Sequence, residues 1–144
     1  MDKHTTEKLT EVLMTVDGYE GLHDYIEKLD NESSFGSFQE YFNSLPQVKD
    51  MSRADLIKRT NIDRSYGYQI LRGTRSPGRD KVILLCIAAG ISLHETQRAL
   101  RTAGEQVLYS RNRRDAILMF VLNEGLNITD TQELLQQFSE RFLE

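Results

Sequence analysis

Arg64, Ser65, Tyr68, Gln69 and Arg72 have the chemistry to read base-pair edges, and at 100° per residue they share one face of a helix, with Tyr66, Gly67 and Ile70 opposite. Arg donates two hydrogen bonds to guanine O6 and N7, Gln pairs with adenine N6 and N7, and Ser serves either base. Each good pair discriminates by about 1–3 kcal/mol. Lys58, Arg59, Arg75 and Arg79 flank this face and suit phosphates, contacts that fix register without reading sequence. Tyr66 and Tyr68 have a bland alternative: their rings pack while their hydroxyls stay wet.

The charge distribution supports that chemistry. From Arg53 to Arg114 there are 13 Lys and Arg against 5 Asp and Glu. Met1 to Ser52 has 4 against 11, and Asp115 to Glu144 has 1 against 6. The formal net charge of -4 therefore hides one basic block between two acidic ones. Neutralising duplex phosphates with Lys and Arg supplies sequence-independent affinity through counterion release. Screening within about 10 Å lets a local basic face act on an acidic molecule.

These residues need a bihelical unit to hold them. Ala54 to Arg59 reads as a first helix, Thr60 to Asp63 as the turn, and Arg64 to Arg72 as the second helix. Ser52, with Asp55 three residues on, is a capping-box variant, and Asp63 can cap the second helix. Asn61 falls where the turn needs positive φ, and Gly73 closes the second helix.

The rest of the chain reads as all-α. Leu9, Val12, Leu13 and Val16, then Leu22, Tyr25, Ile26 and Leu29, recur at helical spacing, with Gly18 and Gly21 between the two sets. Phe35, Phe38, Phe42 and Leu45 form a third stripe that stops at Pro46, and Gln47 to Met51 reads as a linker. The second half is duplicated at an offset of 35: RDKVILLCIAAGISLHETQRAL lies over RDAILMFVLNEGLNITDTQELL. Each copy predicts an αα-hairpin. Its first helix ends at a left-handed Gly, Gly90 or Gly125, followed by Ile91 or Leu126. Its second helix starts with a capping box, Ser92 to Glu95 or Thr129 to Gln132. Asp80 and Asp115 sit at helix starts, where the dipole favours negative charge. The expected organisation is an acidic helical segment over 1–32, a core over 33–106 and a C-terminal hairpin over 107–144.

Across Phe35 to Gly104 the chain resembles the Cro and phage-repressor class of regulators, the XRE type. The resemblance rests on the turn, on Gly73-Thr74-Arg75-Ser76-Pro77, and on the apolar helix with Ala89-Gly90-Ile91-Ser92-Leu93. It implies a lambda-repressor-like, five-helix, DNA-binding fold, with base contacts at Arg64, Ser65 and Gln69 and backbone contacts at Tyr66, Arg72 and Arg75. Two positions depart from the pattern: Ile57 where a small residue is usual, and Gly67 where a branched apolar one is. We read them as a volume swap between facing positions of the two helices.

Other classes find little support. The chain has no Gly-rich phosphate loop, no Gly-x-Ser-x-Gly and no Cys and His pairing in a polar context, so no enzyme is expected. His4, His23 and His94 lack metal-ligand spacing, and Cys86 reads as a small buried hydrophobe; no cofactor or metal is expected. The longest apolar run, Val82 to Ile91, is far short of the roughly 20 residues that span a membrane. The start, MDKHTTEKL, lacks a secretory leader, which predicts a cytoplasmic protein. The expected partner is double-stranded DNA, bound by a homodimer because regulators of this type act on two half-sites. The contact is expected at the second hairpin, whose Phe138, Phe142 and Leu143 form an apolar end or complete the core. Arg111, Arg113 and Arg114 suit a phosphate, a helix C-terminus or the N-terminal acids. Two alternatives remain: an interaction module that keeps the fold without DNA affinity and serves a regulatory protein partner, and an acidic Met1 to Asp30 segment that covers the basic face.

Overall fold

Capping side chains set most of the helix starts in this chain, and the computed structural model contains nine helices and no strand among the described residues, which are 14, 18–32 and 36–144. The fold is all-α. The chain divides into two compact units, Met1–Gly36 and Ser37–Glu144. The first holds α1 (Gly18–Glu32), which runs through Gly21 rather than breaking there. A glycine inside a helix costs only about 1 kcal/mol, and the left-handed residue is Gly18, φ 64°. Tyr19, Leu22 and Ile26 of α1 are exposed. The stripe Leu9, Val12, Leu13 and Val16 and the position of Phe35 lie outside the described residues.

The second unit begins with α2 (Phe38–Ser44), capped by Ser37, whose Oγ accepts from the Glu40 N–H at 3.3 Å. The expected linker after it contains a one-turn helix, α3 (Pro46–Lys49). Pro46 holds the first helical position, where its missing N–H costs nothing, and Leu45 before it is extended, as a residue preceding proline prefers. Then come α4 (Arg53–Thr60), α5 (Arg64–Arg72), α6 (Arg79–Ala89), α7 (Leu93–Thr102), α8 (Arg113–Glu124) and α9 (Ile128–Gln137). Every residue of α6 from Val82 to Ala89 is buried, and α4, α7 and α9 pack around it. Phe42, Leu56, Ile70, Leu71 and Leu100 complete the centre of the core.

The duplication governs the second half more fully than its sequence match suggested. Gly90 and Gly125 both adopt the left-handed C-cap. Ser92 forms the full capping box with Glu95, but the cap of α9 is Asn127, not Thr129, and its Oδ1 accepts from the Asp130 N–H at 2.8 Å. Asn127 stands 35 residues after Ser92, so the offset itself held the right register. The correspondence continues into both tails, where Gly104 (φ 71°) is matched by Ser139 (φ 58°). Gln97 clips the backbone of Leu108 through its side-chain amide, whose Nε2 donates to the Leu108 carbonyl and whose Oε1 accepts from the Leu108 N–H, as Gln132 clips Leu143.

The two copies also exchange charges. Arg79 binds Asp115 through two hydrogen bonds, 3.0 and 2.8 Å, and Arg114 binds Asp80 the same way, 3.1 and 2.8 Å. Each arginine also donates to the tail of its own copy: Arg79 to the Gln106 and Val107 carbonyls, Arg114 to those of Arg141 and Phe142. Each aspartate accepts one tail N–H from the other copy, Asp115 from Tyr109 and Asp80 from Glu144. The pattern is self-reciprocal, as it is across a two-fold interface. Burial pushes the Asp80 carboxyl up, but the Arg114 guanidinium and the Glu144 N–H outweigh it and hold the group below its ordinary value.

Candidate functional site

The bihelical unit forms as the local sequence dictates. Ser52 Oγ accepts from the Asp55 N–H at 3.1 Å and opens α4. Asn61 ends it in the left-handed region, φ 60°, which Asn tolerates well among non-glycine residues. Buried Thr60 ties the turn together: its hydroxyl donates to the Ile57 carbonyl and accepts from the Ile62 N–H. Asp63 then caps α5 by accepting from the Tyr66 N–H at 3.1 Å. Such caps contribute about 1 kcal/mol each.

Packing sets which face of α5 is turned outward. Gly67, Ile70 and Leu71 are buried, while Arg64, Ser65 and Arg72 are exposed and Tyr68 and Gln69 are half-buried. A Cβ placed on Gly67 would stand 3.1 Å from both Ile57 Cγ1 and Cγ2. The large side chain of α4 thus occupies the volume that a branched residue on α5 would fill, as the volume swap requires. Close packing makes such compensated exchanges tolerable.

The far end of α5 is pinned by α2. Asn43 Nδ2 donates to the Leu71 carbonyl at 2.9 Å, and Gly73, φ 83°, closes the helix by donating to the Ile70 carbonyl. A side chain at Gly73 would be strained by its φ and would also meet Gln39 Cγ at 2.8 Å. The recognition-type face is therefore held at both ends.

Aromatic rings organise the cations around it. Arg64 lies over the Tyr68 ring at 5.8 Å, while Tyr66 is covered by Arg75 at 5.0 Å and Lys81 at 5.8 Å. Cation–π contacts order a guanidinium without engaging its N–H donors. Lys81 is a member of this cluster that sequence reasoning missed; its signal was its place two residues after Arg79, in the first turn of α6.

The other flanking cations lie elsewhere. Arg79 leaves the phosphate set: its guanidinium is committed to Asp115 and two carbonyls, with 24% of its side chain exposed. Lys58 and Arg59 are exposed, and they line a cleft of about 530 Å³ together with Ala88, Gly90 and the turn from Gly125 to Thr129. Arg114 is buried on Asp80, and Arg113 donates to the Phe138 carbonyl and lies 4.0 Å from Glu140.

Burial pushes the Cys86 thiol up to about 12, so it stays protonated at neutral pH. Among the described residues no group of His, Cys, Asp and Glu gathers to hold a metal, and no helix is long and apolar enough to cross a membrane. Comparison of the chain with protein families, with curated proteins and with solved structures gives no match in any of the three.

Proposed function

We propose that the chain is a sequence-specific regulator that binds double-stranded DNA and is not an enzyme, with α5 entering the major groove. The observation that carries this reading is the exposure of Arg64, Ser65 and Arg72 on the side of α5 away from buried Gly67 and Ile70. In this reading Arg64, Ser65, Tyr68 and Gln69 meet base edges. Arg72 meets phosphates, as do Arg75 and Lys81, which cover Tyr66. Lys58 and Arg59 add to the local positive field.

A helix of nine residues reads only a few base pairs, so the regulator acts as a two-fold dimer on half-sites about 34 Å apart. Phe138 and Phe142, each 46% exposed, offer a contact, whereas Leu143 is buried and belongs to the core. Selection of bound duplexes from a random pool at two ionic strengths tests the reading. A recurring motif whose affinity falls steeply with salt is expected; recovery of unenriched sequence at both salts refutes it.

A further inference from the structure

The end of α4, the end of α6 and the turn of the second hairpin enclose a cleft of about 530 Å³, inside the range of about 300–1,000 Å³ in which small-molecule sites fall. Its floor is apolar. Ile87 and Ala88 of α6 and Ile128 of α9 line it and keep a little exposure there, 5%, 7% and 4%. Short side chains hold it open: Ala88, Gly90 and Gly125 reach it with a methyl group or with none.

The rest of the lining is cationic and polar. Lys58 and Arg59, in the last turn of α4, line the cleft and are exposed, and among the described residues neither side chain has a hydrogen-bond or ion-pair partner. Thr129 adds a hydroxyl from the α9 side. Among the described residues no carboxylate lines the cleft; Glu124 and Asp130, next in sequence to Gly125 and Thr129, are exposed and outside it. The dipole of α4 favours cations in its last turn, which accounts for their sign but not for the apolar floor they share a cleft with. An inorganic anion would use the cations and leave that floor wet, and a hydrocarbon would do the reverse. A molecule with both parts uses the whole lining.

We propose that this cleft binds a small anionic amphiphile, its apolar body seated on Ile87, Ala88 and Ile128 and its carboxylate or phosphate head held by Lys58 and Arg59. Arginine offers a planar fork that suits either head, and lysine a point charge. Ion pairs at an exposed rim contribute little by themselves, so the body supplies most of the affinity and the two cations select the charge. The proposal goes beyond the DNA-binding reading and does not depend on it.

The test titrates the full, isotope-labelled chain with octanoate, octyl phosphate and neutral 1-octanol, each below the concentration at which it aggregates, and follows the amide resonances. Saturable shifts at Gly90, Gly125 and Thr129 are expected with octanoate, octyl phosphate or both, with affinity about fivefold or more above that of 1-octanol. A response to one anion only names the head group. Replacing both cations, Lys58→Gln with Arg59→Gln, should remove the advantage over 1-octanol and leave resonances outside the cleft in place. Lys49→Gln, at an exposed cation that does not line the cleft, should keep it. No shifts, shifts scattered over the surface, 1-octanol binding as tightly as the anions, or an undiminished anion preference in the double variant overturns the proposal. Should the double variant not fold, the comparison of the anions with 1-octanol on the parent chain decides alone.

Discussion

The two hairpins of the second unit share caps, C-terminal turns, tail clamps and exchanged ion pairs, yet they differ in how they are enclosed. α6 is surrounded, with α4 on the face that α8 leaves exposed. The same local design thus serves as a core when another helix lies on it and as a surface when none does. Local capping and periodicity set the hairpin, and tertiary neighbours set its role.

The strongest way to break this comparison is through the ion pairs. Asp115 is 7% exposed along its side chain and Arg79 24%, so Arg79→Ala leaves a buried carboxylate without its guanidinium and two tail carbonyls without their donor. The expected loss is about 3–5 kcal/mol in denaturant unfolding. Arg114→Ala, which strands the more exposed carboxylate, Asp80 at 18%, should cost less. Equal losses would mean that the difference in burial is immaterial.

Leu85 and Phe120 sharpen it next. Leu85→Ala should cost about 2–5 kcal/mol because it opens a cavity in a packed core. Phe120→Ala, at the equivalent position, should stay within about 0.5 kcal/mol of the parent. Comparable losses would show that the α8 face is covered in the folded protein.

Acid separates the pairs further. Because the folded-state value of Asp80 is lowered, its contribution to stability is present above its unfolded value of 3.8 and is lost as pH falls through the folded value. Asp80→Asn should therefore lower stability at neutral pH and flatten its fall below about pH 4. An unchanged acid profile would remove Asp80 from the account. The smallest effect is at Ser139, which adopts a left-handed conformation where the first copy has Gly104. Ser139→Gly should raise stability by about 0.5–1 kcal/mol, since glycine meets no Cβ penalty there.

Much of this was legible in the residues because the deciding interactions are short. The left-handed Asn61, the Asp63 cap and the terminal Gly73 all act within a few residues, and even the Ile57 and Gly67 exchange joins two helices that are consecutive in the chain. The reciprocal arginine and aspartate pairs were not legible. An Asp in a helix's first turn already has a local explanation in the dipole, and the true partners lie 36 and 34 residues away. The same pairing removed Arg79 from the phosphate set, since residue type reveals a cation but not whether a carboxylate has engaged it. The Asn127 cap was misread because Thr129 to Gln132 also fits a capping pattern, and only the offset from Ser92 separates the two.

The central claim is that the outward face of α5 reads duplex DNA, and the most direct measurement is affinity for a selected duplex and a random one across a salt series, for the parent chain, Arg64→Ala and Arg75→Ala. The expected result is that Arg64→Ala narrows the gap between the two duplexes. Arg75→Ala should instead weaken both alike and reduce the salt slope by about one. Affinity that is independent of salt, or identical behaviour of the two variants on both duplexes, would contradict it.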